Sequence, residues 1–232
     1  PYSVYDQKTH SWSPWKTIKL PDDPKFGNAG SGCVQRFDLP NGDILLPFYF
    51  AEIGAGQYST TVMRCSFDGK DVRYVNHSNE LTVPIKRGLY EPSITKFGDK
   101  LFLTMRNDEH GYVSVAGVGD SLNFSKPKKW TFDDGSDLGN YNTQQHWVMH
   151  PKHGIFLVYT RRGAENDHVF RHRAPLFIAK VDPEKLHIIR STEQILVPEK
   201  GARMGNFGIT EVTPNETWVT VTEWMQAPGP NY

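Results

Sequence analysis

Four times the chain repeats one local unit, a strand, a tight polar turn and a second strand. The second strands read Ile44–Phe50, Leu101–Arg106, Ile155–Arg161 and Trp218–Trp224, and their first residues lie 57, 54 and 63 positions apart. The strands that precede them run over Cys33–Leu39, Glu91–Lys96, Thr143–His150 and Gly208–Val212. Third strands follow at Ser59–Cys65, Tyr112–Ala116 and Pro175–Val181. Asn41-Gly42, Gly98-Asp99 and Pro214-Asn215 punctuate the runs, and such dipeptides supply the backbone angles of hairpin turns. No apolar stripe with a 3.6-residue period is sustained anywhere, so helix is expected to be nearly absent. A strand-only repeat of this length predicts an all-β propeller of four-stranded antiparallel blades. The blade units span approximately 30–80, 88–135, 140–198 and 203–232. Residues 1–232 are thus expected to form a single propeller domain or a fragment of one. The larger disc would hold about five to seven blades. An N-terminal stretch bearing Trp12 and Trp15 could instead supply outer strands that close a smaller ring.

Composition narrows the partners. Lys plus Arg and Asp plus Glu stand at 26 each, so no global field attracts nucleic acid, and recognition by charge must be local. No apolar run is long enough to span a bilayer as a helix. The chain opens at Pro1 with no visible leader, which leaves the compartment open. An extracellular or periplasmic setting is what a glycan-directed role would favour. Cys33 and Cys65 flank the first hairpin, and two states are open to them, a bridge within one blade or two separate buried thiols.

In an antiparallel hairpin the start of the first strand lies beside the end of the second, so both reach one rim. The turn rim carries an ordinary solvated set, including Asp43, Asp99, Lys100 and Glu216. The opposite rim is different. It sets Tyr90 and Glu91 against Arg106, Asn107 and Asp108, and Tyr141 to His146, with Gln145 among them, against Tyr159, Arg161 and Arg162. The fourth unit adds Arg203, Asn206 and Phe207 against Glu223 and Trp224. Asp167, His168, Arg171, His172 and Arg173 follow in one dense segment. Aromatic faces stack on sugar rings and arginine forks pair with carboxylates, so this rim suits a polar, ring-shaped ligand. His146/His150 and His168/His172 each share a strand face at about 13 Å, too far apart for one metal ion. Neither a metal nor a cofactor is expected. Nucleophile elbows, phosphate loops and Cys-x-x-Cys pairs are missing from the sequence, which leaves carboxylate, phenol, imidazole and guanidinium chemistry, suited to glycosidic bond cleavage.

Tyr90-Glu91-Pro92-Ser93-Ile94, Gly98-Asp99-Lys100-Leu101 and Arg106-Asn107 together resemble the sialidase (neuraminidase) superfamily of repeat-bearing propellers. The likeness covers most of residues 30–225. Ser66-Phe67-Asp68-Gly69 and Gly119-Asp120-Ser121-Leu122 look like decayed forms of that family's aspartate box. The resemblance implies that Glu91 assists a nucleophile, and that Arg106 with Arg171 or Arg173 clamps a substrate carboxylate. Where the family carries its tyrosine nucleophile, this chain reads Gly205-Asn206-Phe207-Gly208, with no hydroxyl.

The expectation is therefore a sialidase-like exo-glycoside hydrolase acting on an acidic or otherwise polar glycan. Arg106, Arg162 and Arg171 or Arg173 would hold the carboxylate, with Asp108, Gln145, Arg161, Arg203, Asn206 and Trp224 lining the rest of the substrate site. Glu91, Asp167 and Glu223 are the acid/base candidates, assisted by His146 and His168. Two alternatives stand beside it. One is a lyase on a uronate-containing polysaccharide, with Tyr141 or His146 as base. The other is a non-catalytic carbohydrate-binding propeller.

Overall fold

The computed structural model describes residues 1–119 and 122–225, and it is all-β. Among these residues helix is confined to three single 3₁₀ turns. In chain order the strands are β1 (Tyr5–Asp6), β2 (Ser11–Trp12), β3 (Asn28–Gly30), β4 (Phe37–Asp38), β5 (Ile44–Ala51), β6 (Ser59–Phe67) and β7 (Val72–His77). Then come β8 (Tyr90–Phe97), β9 (Lys100–Arg106), β10 (Tyr112–Gly117) and β11 (Lys128–Lys129). The last group is β12 (His146–His150), β13 (Gly154–Tyr159), β14 (Leu176–Asp182), β15 (His187–Ile188), β16 (Gln194–Val197), β17 (Ala202–Thr213) and β18 (Glu216–Met225).

Four antiparallel sheets follow the four sequence units. They run β3-β5-β6-β7 with β4 also on β5, then β8-β9-β10-β11, then β12-β13-β14 with β15 and β16 on β14, then β17-β18. The sheets stack face to face, and apolar side chains fill each gap. Leu45 and Val62 meet Ile94, Leu103 and Met105 in the first gap. Phe102, Trp130, Trp147, Leu157 and Phe177 fill the second, and Val158, Leu176, Met204 and Phe207 the third. A strand packed on both faces needs a near-continuous apolar run, which is why β9 reads Leu101-Phe102-Leu103-Thr104-Met105 and is buried from Leu101 onward.

The first strands of the units are tied to one another. Gln35 bridges Ser93 in parallel, and the Gln35 amide both donates to the Trp147 carbonyl (3.0 Å) and accepts from the Trp147 N–H (2.8 Å). Ser93 Oγ lies 2.8 Å from His146 Nδ1, and His146 Nε2 lies 3.0 Å from the Phe207 carbonyl. Since a carbonyl only accepts, Nε2 carries the proton and Nδ1 accepts from Ser93. On the turn side of these strands a recess of about 590 Å³ opens between Gln35, Thr95, Trp147 and Thr210.

Several expectations need correction. Cys33 adopts a left-handed φ of 57°, and of the strand expected over Cys33–Leu39 only β4 forms, with β3 preceding it across a loop. The strand expected from Thr143 starts only at His146, after a left-handed Asn142 (φ 55°). Cys33 and Cys65 are separate thiols, and burial pushes that of Cys65 up to about 11. Among the described residues the N-terminal hairpin β1-β2 closes no ring: it pairs with itself, and Lys16–Asp71 (2.7 Å) ties the segment behind it to the first sheet. Asp68 in the first box-like segment accepts the Lys70 and Asp71 N–H groups and Arg73, which holds its carboxyl well below the usual range and caps the turn. In the second, Asp120 and Ser121 lie outside the described residues.

Candidate functional site

The site begins with a backbone irregularity. Glu91 has φ 46°, and the pairing of β8 with β9 slips between Tyr90 and Ser93. Such a bulge re-aims a side chain at the end of a strand. Here it turns the Glu91 carboxylate onto Arg106 Nη1 at 2.5 Å. Arg106 Nη2 donates to Asn142 Oδ1 (2.9 Å), and Arg173 Nη2 donates to the Asn142 carbonyl (2.9 Å). Cys33, Glu91 and Asn142 are thus three left-handed residues, each just ahead of, or opening, the inner strand of a successive unit. Non-glycine residues held in that region cost on the order of 1–3 kcal/mol each and persist where the surroundings over-determine them.

Charge is unbalanced at this point. Arg106 and Arg173 are each 6 % exposed, and Glu91 is the carboxylate that meets Arg106. Among the described residues Arg173 pairs with no carboxylate, and the Nε atoms of Arg106, Arg173 and Arg203 have no partner. Burial, and then the neighbouring charges of Arg106 and Arg171, push the Arg173 guanidinium down, with Glu91 opposing. Cys33 and Tyr49 share this field. Burial raises the Cys33 thiol first, Glu91 adds to the rise, and Arg106 and Arg173 counter it. Burial likewise raises the Tyr49 phenol, with Glu91 adding and Arg106 opposing.

Aromatic rings form one wall. Tyr90 lies under the guanidinium groups of Arg87 (4.7 Å) and Arg106 (4.8 Å), while Tyr49 and Tyr58 pack against it. Asp108 is held inside this wall by Arg87 and by the Tyr90 hydroxyl, which donates to it at 2.7 Å. Arg87 is the main attractive partner, and despite the opposing effect of burial the Asp108 carboxyl is lowered to about 2. A second cluster adjoins Asn142. The Tyr141 hydroxyl lies 2.6 Å from His172 Nδ1, and His172 Nε2 lies 3.1 Å from Asp167 Oδ1. Arg162 stands over the Tyr141 ring at 5.1 Å and donates to Asp137 at 3.0 Å. Arg203 stacks between functions of the third and fourth units, 4.6 Å from the Phe170 ring and 5.1 Å from that of Trp224.

The structure divides the residues expected at the rim. Glu91, Arg106 and Arg173 come together, with Arg171 and Arg203 in the same field. His146 does not join them. It is 3 % exposed, its two nitrogens are spent on Ser93 and Phe207, and burial pushes it down to about 4, so it is a neutral tie between strands. Gln145 is likewise interior and accepts from Thr104 Oγ1 at 2.6 Å. Arg161 forks onto Glu193 at 2.8 and 2.7 Å and covers the Phe177 ring, which commits it to packing. His168 is exposed and 3.6 Å from Glu199, and the Asp167 side chain is 92 % exposed. Glu223 and Asn206 are exposed on β18 and β17, and Trp224 is half-exposed opposite Arg203. Asn142 and His172 lie on the expected rim, but no role was assigned to either. Asparagine's tolerance of left-handed backbone is a further signal in the sequence that points to Asn142.

No family model and no curated protein matches the chain. Solved structures do resemble it. A Trypanosoma rangeli sialidase in complex with sialic acid superposes with a TM-score of 0.60 at 15% identity, over 93% of this chain and 33% of that one. The same sialidase with 2,3-difluorosialic acid, a covalent intermediate, gives 0.56 at 13% identity over 93% and 34%. A Dyadobacter fermentans protein of unknown function gives 0.54 at 14% identity over 82% and 48%. The chain spans about half the length of the bacterial protein and about a third of the sialidase. At such identities the likeness is one of fold, and the fold is sialidase-like.

Proposed function

We propose that the rim around Arg106, Arg173, Glu91 and Asn142 binds the carboxylate of an acidic sugar at the end of a glycan. The protein then cleaves the adjoining glycosidic bond as a sialidase-like exo-glycoside hydrolase. The observation that carries this reading is the charge count. Two arginines at 6 % exposure face one carboxylate, and a buried cation without a counter-charge is costly. A substrate carboxylate would supply the missing charge and take the free guanidinium N–H groups. The sialic acid bound by the Trypanosoma enzyme is a sugar of that class. Glu91 holds Arg106 in place, and the half-buried rings of Tyr49 and Tyr58, backed by the buried Tyr90, offer faces for a sugar ring. Asp167 and Glu223 are the solvent-facing carboxylates left for acid/base work, and the rim supplies no hydroxyl at Phe207.

Calorimetric titration with a sialic acid, with glucuronic acid and with neutral glucose tests the binding step. A sugar acid is expected to bind and glucose is not. A charge-assisted hydrogen bond contributes about 1.5–3 kcal/mol, so Arg173→Met should weaken the acid by roughly 10- to 150-fold. Equal binding of glucose, or an unchanged affinity in Arg173→Met, would remove the basis of the proposal.

A further inference from the structure

Next to the arginine cluster, and outside it, lies a chain of three groups that ends in a phenol. We infer that Tyr141, His172 and Asp167 form a proton relay in which Tyr141 takes the proton of the water that attacks the sugar. The inference rests on the proposed function and deepens it by naming the base and the stereochemical course.

The donor and acceptor roles follow from the contacts. An ionised carboxylate only accepts, so Asp167 receives the His172 Nε2–H at 3.1 Å. In the neutral ring Nδ1 then carries the lone pair, and it accepts the Tyr141 hydroxyl at 2.6 Å. Among the described residues no group donates to the phenol oxygen, so its lone pairs can take a proton from outside. The three residues come from two separate segments, the turn before β12 and the loop between β13 and β14. They are fixed by backbone that resists being there. Arg171 (φ 56°), His172 (φ 51°) and Asn142 (φ 55°) are all left-handed, and Asn142 also receives Arg106. The charged groups that face Tyr141 are Arg162 over its ring, Arg171 and Asp167. Burial raises the Tyr141 phenol and outweighs its charged neighbours, and the two cations limit that rise and stabilise the negative character it gains as its proton leaves.

The water oxygen bonds to the anomeric carbon, and the glycosidic C–O bond breaks with its electron pair on the leaving oxygen, which takes a proton from solvent. The proton lost by water passes to the Tyr141 oxygen while the Tyr141 proton passes to His172 Nδ1. The imidazolium, held by Asp167, returns it to solvent. Because water attacks from the face opposite the leaving group, the configuration inverts. Tyr141 is the catalytic residue here, and His172 and Asp167 act through it.

The test uses an aryl glycoside of whichever sugar acid the wild-type protein binds. Tyr141→Phe should bind the acid within about threefold of wild type and lose about 10²- to 10⁴-fold in kcat, the range of general acid–base catalysis. His172→Gly should fall similarly in kcat with KM little changed, and added imidazole should restore it at least roughly tenfold, while imidazole should not rescue Tyr141→Phe. Proton NMR of the first product formed should show the inverted anomer. Full turnover in Tyr141→Phe, no imidazole rescue in a folded His172→Gly, a retained anomer, or an unsaturated sugar product would each overturn the relay. Binding without any release of the aryl group by wild type would overturn it too. Failure of the underlying reading looks different, because the wild-type protein would then bind no sugar acid at all.

Discussion

Replacing Arg106 by methionine removes one half of a nearly enclosed ion pair and leaves the other half in place. The side chains of Arg106 and Glu91 are 8% and 16% exposed, and their contact is 2.5 Å. Removing one partner of a buried pair costs about 3–5 kcal/mol, because the remaining charge keeps its desolvation penalty and loses its compensation. Glu91 retains some contact with water, so the lower end, about 3 kcal/mol, applies. The Asn142 Oδ1 also loses its donor, a share of about 1 kcal/mol that overlaps with the first. For a chain of this size 3 kcal/mol corresponds to a fall in Tm of roughly 6–12 °C. The double change Arg106→Met with Glu91→Gln removes both charges and should cost less than the single one, by about 1–2 kcal/mol. Urea unfolding followed by tryptophan fluorescence, with six tryptophans as probes, measures both. The slope should stay constant so that midpoints report stability alone. A single variant within about 1 kcal/mol of wild type, or a double variant equal to the sum of its singles, would refute the reasoning that these charges are buried and coupled.

Two more changes separate packing from function. His146 has its pKa lowered to about 4 in the fold, so below about 6.5 the unfolded chain takes a proton that the folded chain refuses. Stability should therefore fall as the pH drops from about 6.5 to 4, by up to about 3 kcal/mol, and be flat in this respect above that window. His146→Gln, which can still reach Ser93 and the Phe207 carbonyl, should lose that slope; parallel curves for both proteins would contradict it. Gln145→Leu takes from Thr104 Oγ1 its shorter buried acceptor, leaving the Tyr112 carbonyl at 3.3 Å, and should cost about 1 kcal/mol in urea midpoints with sugar-acid affinity unchanged. Weaker sugar binding in a stable Gln145→Leu protein would place that amide in the site after all.

Much of this was legible in the chain. Alternating apolar runs bounded by Asn-Gly and Gly-Asp turns located the hairpins, and hairpin geometry placed Glu91 opposite Arg106, which the structure joins. His146, Gln145 and Arg161 lie in the same stretches of sequence and went elsewhere. Alternation says which residues share a strand face, but when both faces are packed it does not say which polar group meets a sheet and which meets water. The left-handed residues were hidden for a related reason. Glu91 and Cys33 have no intrinsic preference for positive φ, and only contacts made after folding hold them there.

Local chemistry determined most of the strands, the turns between them and the end of each hairpin near which a polar residue sits, since these depend on neighbours within one hairpin. The tertiary structure decided which of those side chains became a tie between sheets and which stayed available. That choice is made by partners far away in the chain, such as Trp147 for Gln35 at a separation of 112 residues and Phe207 for His146 at 61. Burial and compensation of a charge are properties of the assembled sheets, and no segment carries them by itself.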